Sequence, residues 1–134
     1  MAKIFIDKIT LIHIENRRIL MALSRGKDAY YTPGGKRETG ESDAQTLVRE
    51  IKEELQVELL PQTMKHYGTF EAQAHGKPAG VTVRLVCYTA EFSGHPQPGA
   101  EIESLAYCDY SQRDIVGPVG RLLFEDLKTK NLID

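Results

Sequence analysis

The sequence contains no tryptophan and only two cysteines, Cys87 and Cys108. Both cysteines lie in apolar, strand-like runs without the spacing of a metal-ligand or redox motif, so we expect them to be reduced. No apolar run approaches the length that spans a membrane, and the N-terminus lacks the long apolar core of a signal peptide. These absences argue against a disulfide scaffold and a membrane protein, and we expect a cytoplasmic protein.

A strong excess of either charge is also lacking, because 17 Lys and Arg against 19 Asp and Glu leave a net charge of −2. Without a basic field, the chain is not expected to bind a nucleic acid polymer. An anionic substrate must instead be met by local cations and bound metal. The length of 134 residues and the apolar fraction of 41% predict one globular domain over residues 1–134.

The most informative stretch runs from Gly34 to Val57. Ser42, followed three residues later by Gln45, has the pattern of a capping box, which predicts that a helix begins at Ser42. Apolar residues then recur at three- and four-residue steps, as on one face of an amphipathic helix. That face is formed by Ala44, Leu47, Val48, Ile51 and Leu55.

Three glutamates, Glu50, Glu53 and Glu54, occupy another face of this helix at positions i, i+3 and i+4. Like charges at this spacing weaken an isolated helix by roughly 0.2–0.5 kcal/mol per pair. A hard divalent cation among them would offset that repulsion, and oxygen ligands favour Mg²⁺ or Mn²⁺ over Zn²⁺. The alternative is an ordinary solvated acidic face.

The longer pattern decides between these readings. Gly35, five residues, Glu41, seven residues and then the run from Arg49 to Val57 closely resemble the box of the Nudix hydrolase family, G-x5-E-x7-R-E-U-x-E-E-x-G-U, where U is a bulky aliphatic residue. Only the last glycine differs, since Gln56 takes its place. A non-glycine residue in the left-handed conformation of a helix C-cap costs about 1 kcal/mol, which concerns local stability rather than chemistry.

The resemblance implies a catalytic metal, Mg²⁺ or, as a substitute, Mn²⁺. By the same resemblance its ligands are three carboxylates and one backbone carbonyl: Glu50, Glu53, Glu54 and Gly34. Arg49 would orient Glu53 from one helical turn away, the alternative being a plain surface ion pair. Glu41 would act as an outer ligand or a base.

Further residues are candidates for contact with the substrate. Arg25, Lys36 and Arg37 flank or follow the diglycine and are candidate phosphate ligands, together with the backbone at Gly35. Tyr31 is available for stacking on a base. Some family members take an additional base or metal ligand from a loop before the late strand, where Glu101, and after it Glu103, are found. Exposed His75 and Lys77 are candidate contacts on a flap. For each of these residues, the alternative to a role in the site is ordinary contact with solvent.

The rest of the chain alternates strands with a second helix. Residues 4–14 and 18–23 predict a hairpin, residues 64–72 and 81–92 a second hairpin joined by a Gly- and Pro-containing loop, and residues 105–110 a short strand. Residues 119–130 predict a closing helix with a buried stripe of Leu122, Leu123 and Leu127. This order indicates an α/β fold, which the resemblance sharpens to a Nudix-type α/β/α sandwich with a mixed sheet between the box helix and the C-terminal helix.

The predicted function is metal-dependent hydrolysis of a phosphoanhydride in a small nucleoside di- or triphosphate or a derivative, by a monomer or homodimer. ADP-ribose, dinucleoside polyphosphates and nucleotide sugars remain open as substrates. In one branch of the family an asparagine before the last helix reads the purine edge, and Val116 stands near that position. The competing classes are a non-catalytic nucleotide-binding module, which would lack box carboxylates, and an RNA-end processing enzyme, which would need a basic face.

Overall fold

A computed structural model describes residues 4–134. Two α-helices, nine strands and two short 3₁₀ helices are formed within this range. The strands are β1 (Ile4–Ile12), β2 (Ile14–Glu15), β3 (Arg18–Ser24), β4 (Gly34–Lys36), β5 (Glu58–Leu59), β6 (Lys65–Gln73), β7 (Val81–Thr89), β8 (Phe92–Ser93) and β9 (Ile102–Cys108). The helices are α1 (Asp43–Leu55) and α2 (Pro118–Thr129), with 3₁₀ turns at Pro61–Thr63 and Tyr110–Ile115.

The predicted mixed sheet is present, in the order β4-β1-β7-β6. Strands β1 and β7 pair in parallel, whereas the other two pairings are antiparallel. The predicted hairpin of β6 and β7 is confirmed. The first predicted hairpin is wrong over most of its length, because only Ile14 and Glu15 pair with β3. The chain changes sheets at His13, and β3 pairs instead with β9.

Each helix covers its own part of the apolar core. Leu47, Ile51 and Leu55 of α1 are buried with Ile9 and Leu11 of β1. On the other side, α2 packs against a separate cluster that includes residues of β1, β3, β7 and β9. Two cores on opposite sides of the mixed sheet produce the predicted α/β/α layering.

The buried stripe of α2 differs from the prediction at one residue. Leu123 and Leu127 are buried as predicted, but Leu122 is 45% exposed. The stripe continues through Phe124 and Gly120 instead, which gives the spacing i, i+3, i+4 and i+7 of one helix face. Leu122 lies outward because its position is one residue, about 100° of rotation, before Leu123.

The ends of α1 are fixed by different means. The predicted capping box is present, since the Ser42 hydroxyl accepts from the Gln45 amide while the Gln45 side chain accepts from the Ser42 amide. At the other end, Gln56 adopts the left-handed conformation, with φ of 57°. Amides of the loop over residues 94–101 then donate to the last carbonyls of α1, from Gln97 to Leu55, Gly99 to Glu54 and Ala100 to Glu53. The loop thus substitutes for part of the cap that a glycine would provide.

Neither α-helix in residues 4–134 is long and apolar enough to cross a membrane. Both cysteines are free and buried, as expected.

Candidate active site

The box carboxylates lie where α1 passes the short edge strand β4. Gly34 begins this strand with φ of +145°. A Cβ atom at this position would lie 2.1 Å from the Ile9 carbonyl oxygen of β1, so a side chain is excluded. The diglycine therefore allows β4 to pair closely with β1 while its other side meets the glutamates of α1.

Glu54 is held by the backbone of β4. Its Oε1 accepts a 2.7 Å hydrogen bond from the Gly34 amide, and its Oε2 accepts one of 3.1 Å from the Tyr31 hydroxyl. Burial raises the pKa of this carboxyl to about 7, against the opposing effect of the two hydrogen bonds, while the charge of Glu50 raises it further. A carboxylate desolvated beside another carboxylate is a favourable place for a cation.

Glu50 lies against the second glycine. A Cβ on Gly35 would come within 2.3 Å of Glu50 Cδ, so the missing side chain provides the space for this carboxyl. Glu50 Oε1 accepts a 2.8 Å hydrogen bond from Arg49 Nη1. Burial raises the pKa of Glu50 despite this contact with Arg49, and the negative charge of Glu53 acts in the same direction. Gly35, expected to contact substrate, is thus seen to make room for a box carboxylate.

Arg49 is anchored mainly by Glu41. Arg49 Nε and Nη2 donate to the two oxygens of Glu41 at 2.7 and 2.8 Å, and Nη2 also donates to the Lys36 carbonyl. This pairing, with the Glu38 amide and the Thr46 hydroxyl, lowers the pKa of Glu41 to about 2. With both oxygens engaged, Glu41 positions Arg49 in this conformation.

Glu53 is the most exposed of the three box glutamates, with 53% of its side chain accessible. Its Oε1 lies 3.7 Å from Arg49 Nη1. Over residues 4–134, no three His, Cys, Asp or Glu side chains converge closely enough to hold a metal ion. Glu53 would therefore have to turn about its side-chain torsions, which its exposure permits.

The donor set nevertheless fits a hard cation. Glu50 and Glu54 present carboxylate oxygens only, and each has its pKa raised by burial and by a neighbouring carboxylate. The Gly34 amide faces Glu54 rather than β1, and in an antiparallel ladder a residue directs its amide and carbonyl to the same side. The Gly34 carbonyl is therefore expected on the side of β4 that faces the glutamates, and its role as a metal ligand stays a prediction.

A cavity of about 350 Å³ adjoins these carboxylates. Glu54 and Gly34 form part of its wall, so the cavity reaches one of the three box glutamates. Apolar side chains from β1, β7 and α2 line much of the remainder, and Tyr30, Tyr31 and Thr32 line one side. The volume and mixed lining are those of a small-molecule site.

The predicted flap, the loop over residues 74–80, forms part of the cavity wall. His75 Nε2 lies 2.9 Å from Asp28 Oδ1, which joins the loop after β6 to the loop after β3. A Cβ on Gly117 would lie 3.0 Å from His75 Cβ, so His75 also packs against the start of α2. His75 and Lys77 both line the cavity, and their contact with the substrate stays a prediction.

Three predicted phosphate ligands lie outside the cavity lining. The Arg37 guanidinium contacts Asp43 at 2.6 Å and Asp7 at 3.1 Å. Arg25 and Lys36 are exposed. The backbone of Arg25 donates to the Glu101 carbonyl, and the Lys36 carbonyl accepts from Arg49. Contact of these side chains with phosphate stays a prediction.

Glu101 is exposed and has φ of +64°. Its backbone neighbours the C-terminal end of α1, because Ala100 donates to the Glu53 carbonyl, but Glu101 does not line the cavity.

Val116 is buried at 4% exposure against Gly120 and pairs with Tyr30. Gly117, rather than Val116, reaches the cavity.

Lys8 is the residue that the sequence interpretation missed. It lines the cavity from β1, with its ammonium 5.5 Å from the centre of the Tyr31 ring. The sequence contained a signal for Lys8. It lies an even number of residues from Ile6 and Ile12, so strand alternation places it on the same apolar face, where a charged residue is unusual.

Comparisons with known proteins identify the family and agree with the fold. Residues 7–121 match the family model of the NUDIX domain. The E. coli ORF135 protein is similar in structure, with a TM-score of 0.72 and 25% identity over 98% of this chain and 96% of that chain. A MutT protein from Methanosarcina mazei aligns with a TM-score of 0.75 and 15% identity over 98% of both chains. None of the curated proteins matches the chain significantly.

A MutT Nudix hydrolase from Burkholderia pseudomallei aligns with a TM-score of 0.71 and 21% identity, over 90% of this chain and 96% of that chain. At identities of 21% and 15%, the Burkholderia and Methanosarcina structures establish likeness of fold.

Proposed function

The chain belongs to the NUDIX family of hydrolases, and we propose that it is a Mg²⁺-dependent pyrophosphohydrolase of small nucleoside di- or triphosphates or their derivatives. Mn²⁺ is expected to substitute for Mg²⁺, since both accept all-oxygen ligand sets. ADP-ribose, dinucleoside polyphosphates and nucleotide sugars are the alternative substrates of the same reaction.

The observation that carries this proposal is the desolvated carboxyl of Glu54 in the wall of a cavity, with a second desolvated carboxyl, that of Glu50, close to it. Glu54 forms part of the cavity lining, and Glu50 packs beside it against Gly35. Together with Glu53 and the Gly34 carbonyl, these residues would hold the metal. A metal held there would neutralise phosphate charge and activate water.

The surrounding residues keep the carboxylates in place. The Gly34 amide and Tyr31 hydroxyl fix both oxygens of Glu54, while Arg49 holds Glu50 and is itself held by Glu41. Such partners orient ligands, and their removal commonly reduces metal affinity or activity by about 10–100-fold. Hydrolysis adds a water oxygen to one phosphorus, breaks the bridging P–O bond and releases a proton.

The cavity is proposed to hold the nucleoside part of the substrate. Among its lining residues there is no Asn or Gln side chain to read a base edge by paired amide hydrogen bonds. Backbone groups near Gly117 and the rings of Tyr30 and Tyr31 are the remaining recognition elements on that wall.

A nucleotide panel with identification of the products tests the reaction. The panel contains the common nucleoside di- and triphosphates, ADP-ribose, a dinucleoside polyphosphate and a nucleotide sugar, each with Mg²⁺, with Mn²⁺ and with excess chelator. We expect hydrolysis with metal and none with chelator. Full turnover in excess chelator would contradict the metal-dependent reaction.

Two charge-removing variants test the proposed ligands. Glu53→Gln and Glu54→Gln keep the side-chain size, and we expect each to reduce turnover about 100–1,000-fold, equivalent to roughly 3–4 kcal/mol of transition-state stabilisation. Glu91→Gln is the matched control, because Glu91 is exposed and lies outside the cavity lining. Variants that melt normally and retain wild-type turnover would show that these glutamates do not bind a catalytic metal. A wild-type protein that binds nucleotides without cleaving them would indicate the binding-module alternative.

A further inference from the structure

Lys8 occupies a position that the proposed ligand set does not explain. On β1 it pairs with Lys36 of β4 and with Leu85 of β7. Strand alternation places its side chain on the same face as Ile6, and both residues line the cavity. A lysine is thus built into the wall of a pocket otherwise formed there by apolar side chains.

The Lys8 ammonium is poorly compensated by the protein. In the described part of the chain it has no hydrogen-bond or ion-pair partner, and the influences on it are burial and the charges of more distant groups. Burial lowers the pKa of Lys8, while the charge of Glu54 is the largest opposing influence. The Tyr31 ring, 5.5 Å away, provides a cation–π contact. A partly buried cation without a direct partner is unfavourable for folding, which indicates a role in binding.

The location of Lys8 restricts what it can bind. Lys8, Glu54 and Gly34 line the same cavity, so a substrate extending from the carboxylates into the cavity passes the Lys8 ammonium. The ammonium is a donor only and carries a full charge. A neutral base would leave that charge uncompensated, whereas a phosphoryl group would neutralise it and accept its hydrogen bonds.

We propose that Lys8 binds the phosphoryl group that stays attached to the cavity-bound part of the substrate, an inference that rests on the proposed function. Arg37 is engaged with Asp7 and Asp43 in this conformation, so Lys8 rather than Arg37 provides the positive charge for this phosphate. In hydrolysis that gives a nucleoside monophosphate, Lys8 contacts the phosphate of this product.

Binding to the metal-free protein tests this inference without requiring turnover. The probes are AMP, GMP, CMP and UMP, each compared with its nucleoside by titration calorimetry in chelator. The ratio of the two dissociation constants measures the affinity due to phosphate. Lys8→Met removes the charge and keeps the apolar stem. We expect this variant to lower the phosphate-dependent ratio by about tenfold or more while nucleoside binding is unchanged.

Two further variants make the result specific. Lys65→Met is the matched control, since the change in net charge is the same but Lys65 is exposed and lies outside the cavity lining. It should change the ratio by less than about threefold, as expected for a screened surface charge. Lys8→Arg keeps the charge and should retain most of the phosphate-dependent affinity. It also serves as the informative variant if Lys8→Met does not fold.

The inference is overturned if Lys8→Met binds the monophosphates as tightly as the wild type, if nucleoside affinity falls equally, or if the wild type shows no phosphate-dependent binding. Failure of the proposed function has a different signature. A protein that binds monophosphates through Lys8 but cleaves no nucleotide would uphold this inference and overturn the hydrolase proposal. Hydrolysis with an unchanged binding ratio in Lys8→Met would do the reverse.

Discussion

The Gly34 amide donates a 2.7 Å hydrogen bond to Glu54 Oε1, which joins β4 to α1 across 20 residues of sequence. Tyr31 donates to the other oxygen of the same carboxylate. Despite these two donors, burial holds the pKa of Glu54 near 7, so the charge of this group changes around neutral pH. The backbone thus orients Glu54 while its surroundings disfavour its charge in the metal-free protein.

The raised pKa of Glu54 predicts a pH-dependent stability. Its folded value of about 7 lies above the ordinary value of 4.5, so the folded state binds the proton more tightly. This stabilisation is complete below about pH 4.5 and is lost as pH rises through about 7. Without metal, we expect the unfolding free energy of the wild type, relative to Glu54→Gln, to fall by at most about 3 kcal/mol from pH 4.5 to pH 8.

Urea unfolding in chelator at several pH values measures this difference. Mg²⁺ should reduce the difference because it favours the ionised carboxylate. Parallel pH profiles for the wild type and Glu54→Gln would show that Glu54 is not the responsible group.

The two glycines of β4 predict different mutational effects. Gly34→Ala places a Cβ against the Ile9 carbonyl in a backbone conformation that other residues rarely adopt. We expect it to lower the unfolding free energy by about 2–4 kcal/mol. Gly35→Ala meets only the carboxyl end of the Glu50 side chain and no backbone atom, so it should fold normally but lose about 10–100-fold in metal affinity or turnover.

Thermal melting and metal titration of both variants distinguish the two effects. A Gly35→Ala protein with normal metal affinity and turnover would show that Glu50 need not occupy its present position.

Arg49 is predicted to require its guanidinium geometry. It contacts Glu41 through two nitrogens and Glu50 through a third. Lysine preserves the charge but cannot make these contacts together, so Arg49→Lys should lower turnover about 10–100-fold. Steady-state kinetics provide the measurement, and Arg121→Lys is the control because Arg121 makes one exposed ion pair. If both substitutions lower turnover equally and only slightly, Arg49 acts as an ordinary surface charge.

Gln56→Gly is expected to have little effect. Glycine relieves the left-handed backbone of Gln56, worth about 1 kcal/mol, but removes the exposed 2.9 Å hydrogen bond from Nε2 to the Pro98 carbonyl. The opposing contributions should leave stability within about 1 kcal/mol of the wild type, with turnover changed only a fewfold. Denaturant melts and kinetics measure both quantities. An activity loss as large as that of Glu54→Gln would give this position a role in the site.

The parts of the fold that were predicted correctly depend on neighbours in sequence. The capping box at Ser42 and Gln45 involves residues three positions apart, and the buried face of Leu47, Ile51 and Leu55 follows from the helical repeat. The error at β1 has the opposite origin. Residues 4–14 have the composition of a strand, but β1 pairs in parallel with β7, whose residues lie 77 positions later. Local patterns do not encode such a partner.

The sequence by itself determined the family resemblance, the helix that carries Glu50, Glu53 and Glu54, and the all-oxygen ligand chemistry, because these depend on side-chain type and on spacing within a few turns. Tertiary structure decided the partners of the charged groups. It directs Arg37 to Asp7 and Asp43, joins Glu54 to Gly34, and places Lys8 in the cavity wall. These relationships arise from burial and from contacts between distant segments, which set the electrostatics of a side chain only when the chain is folded.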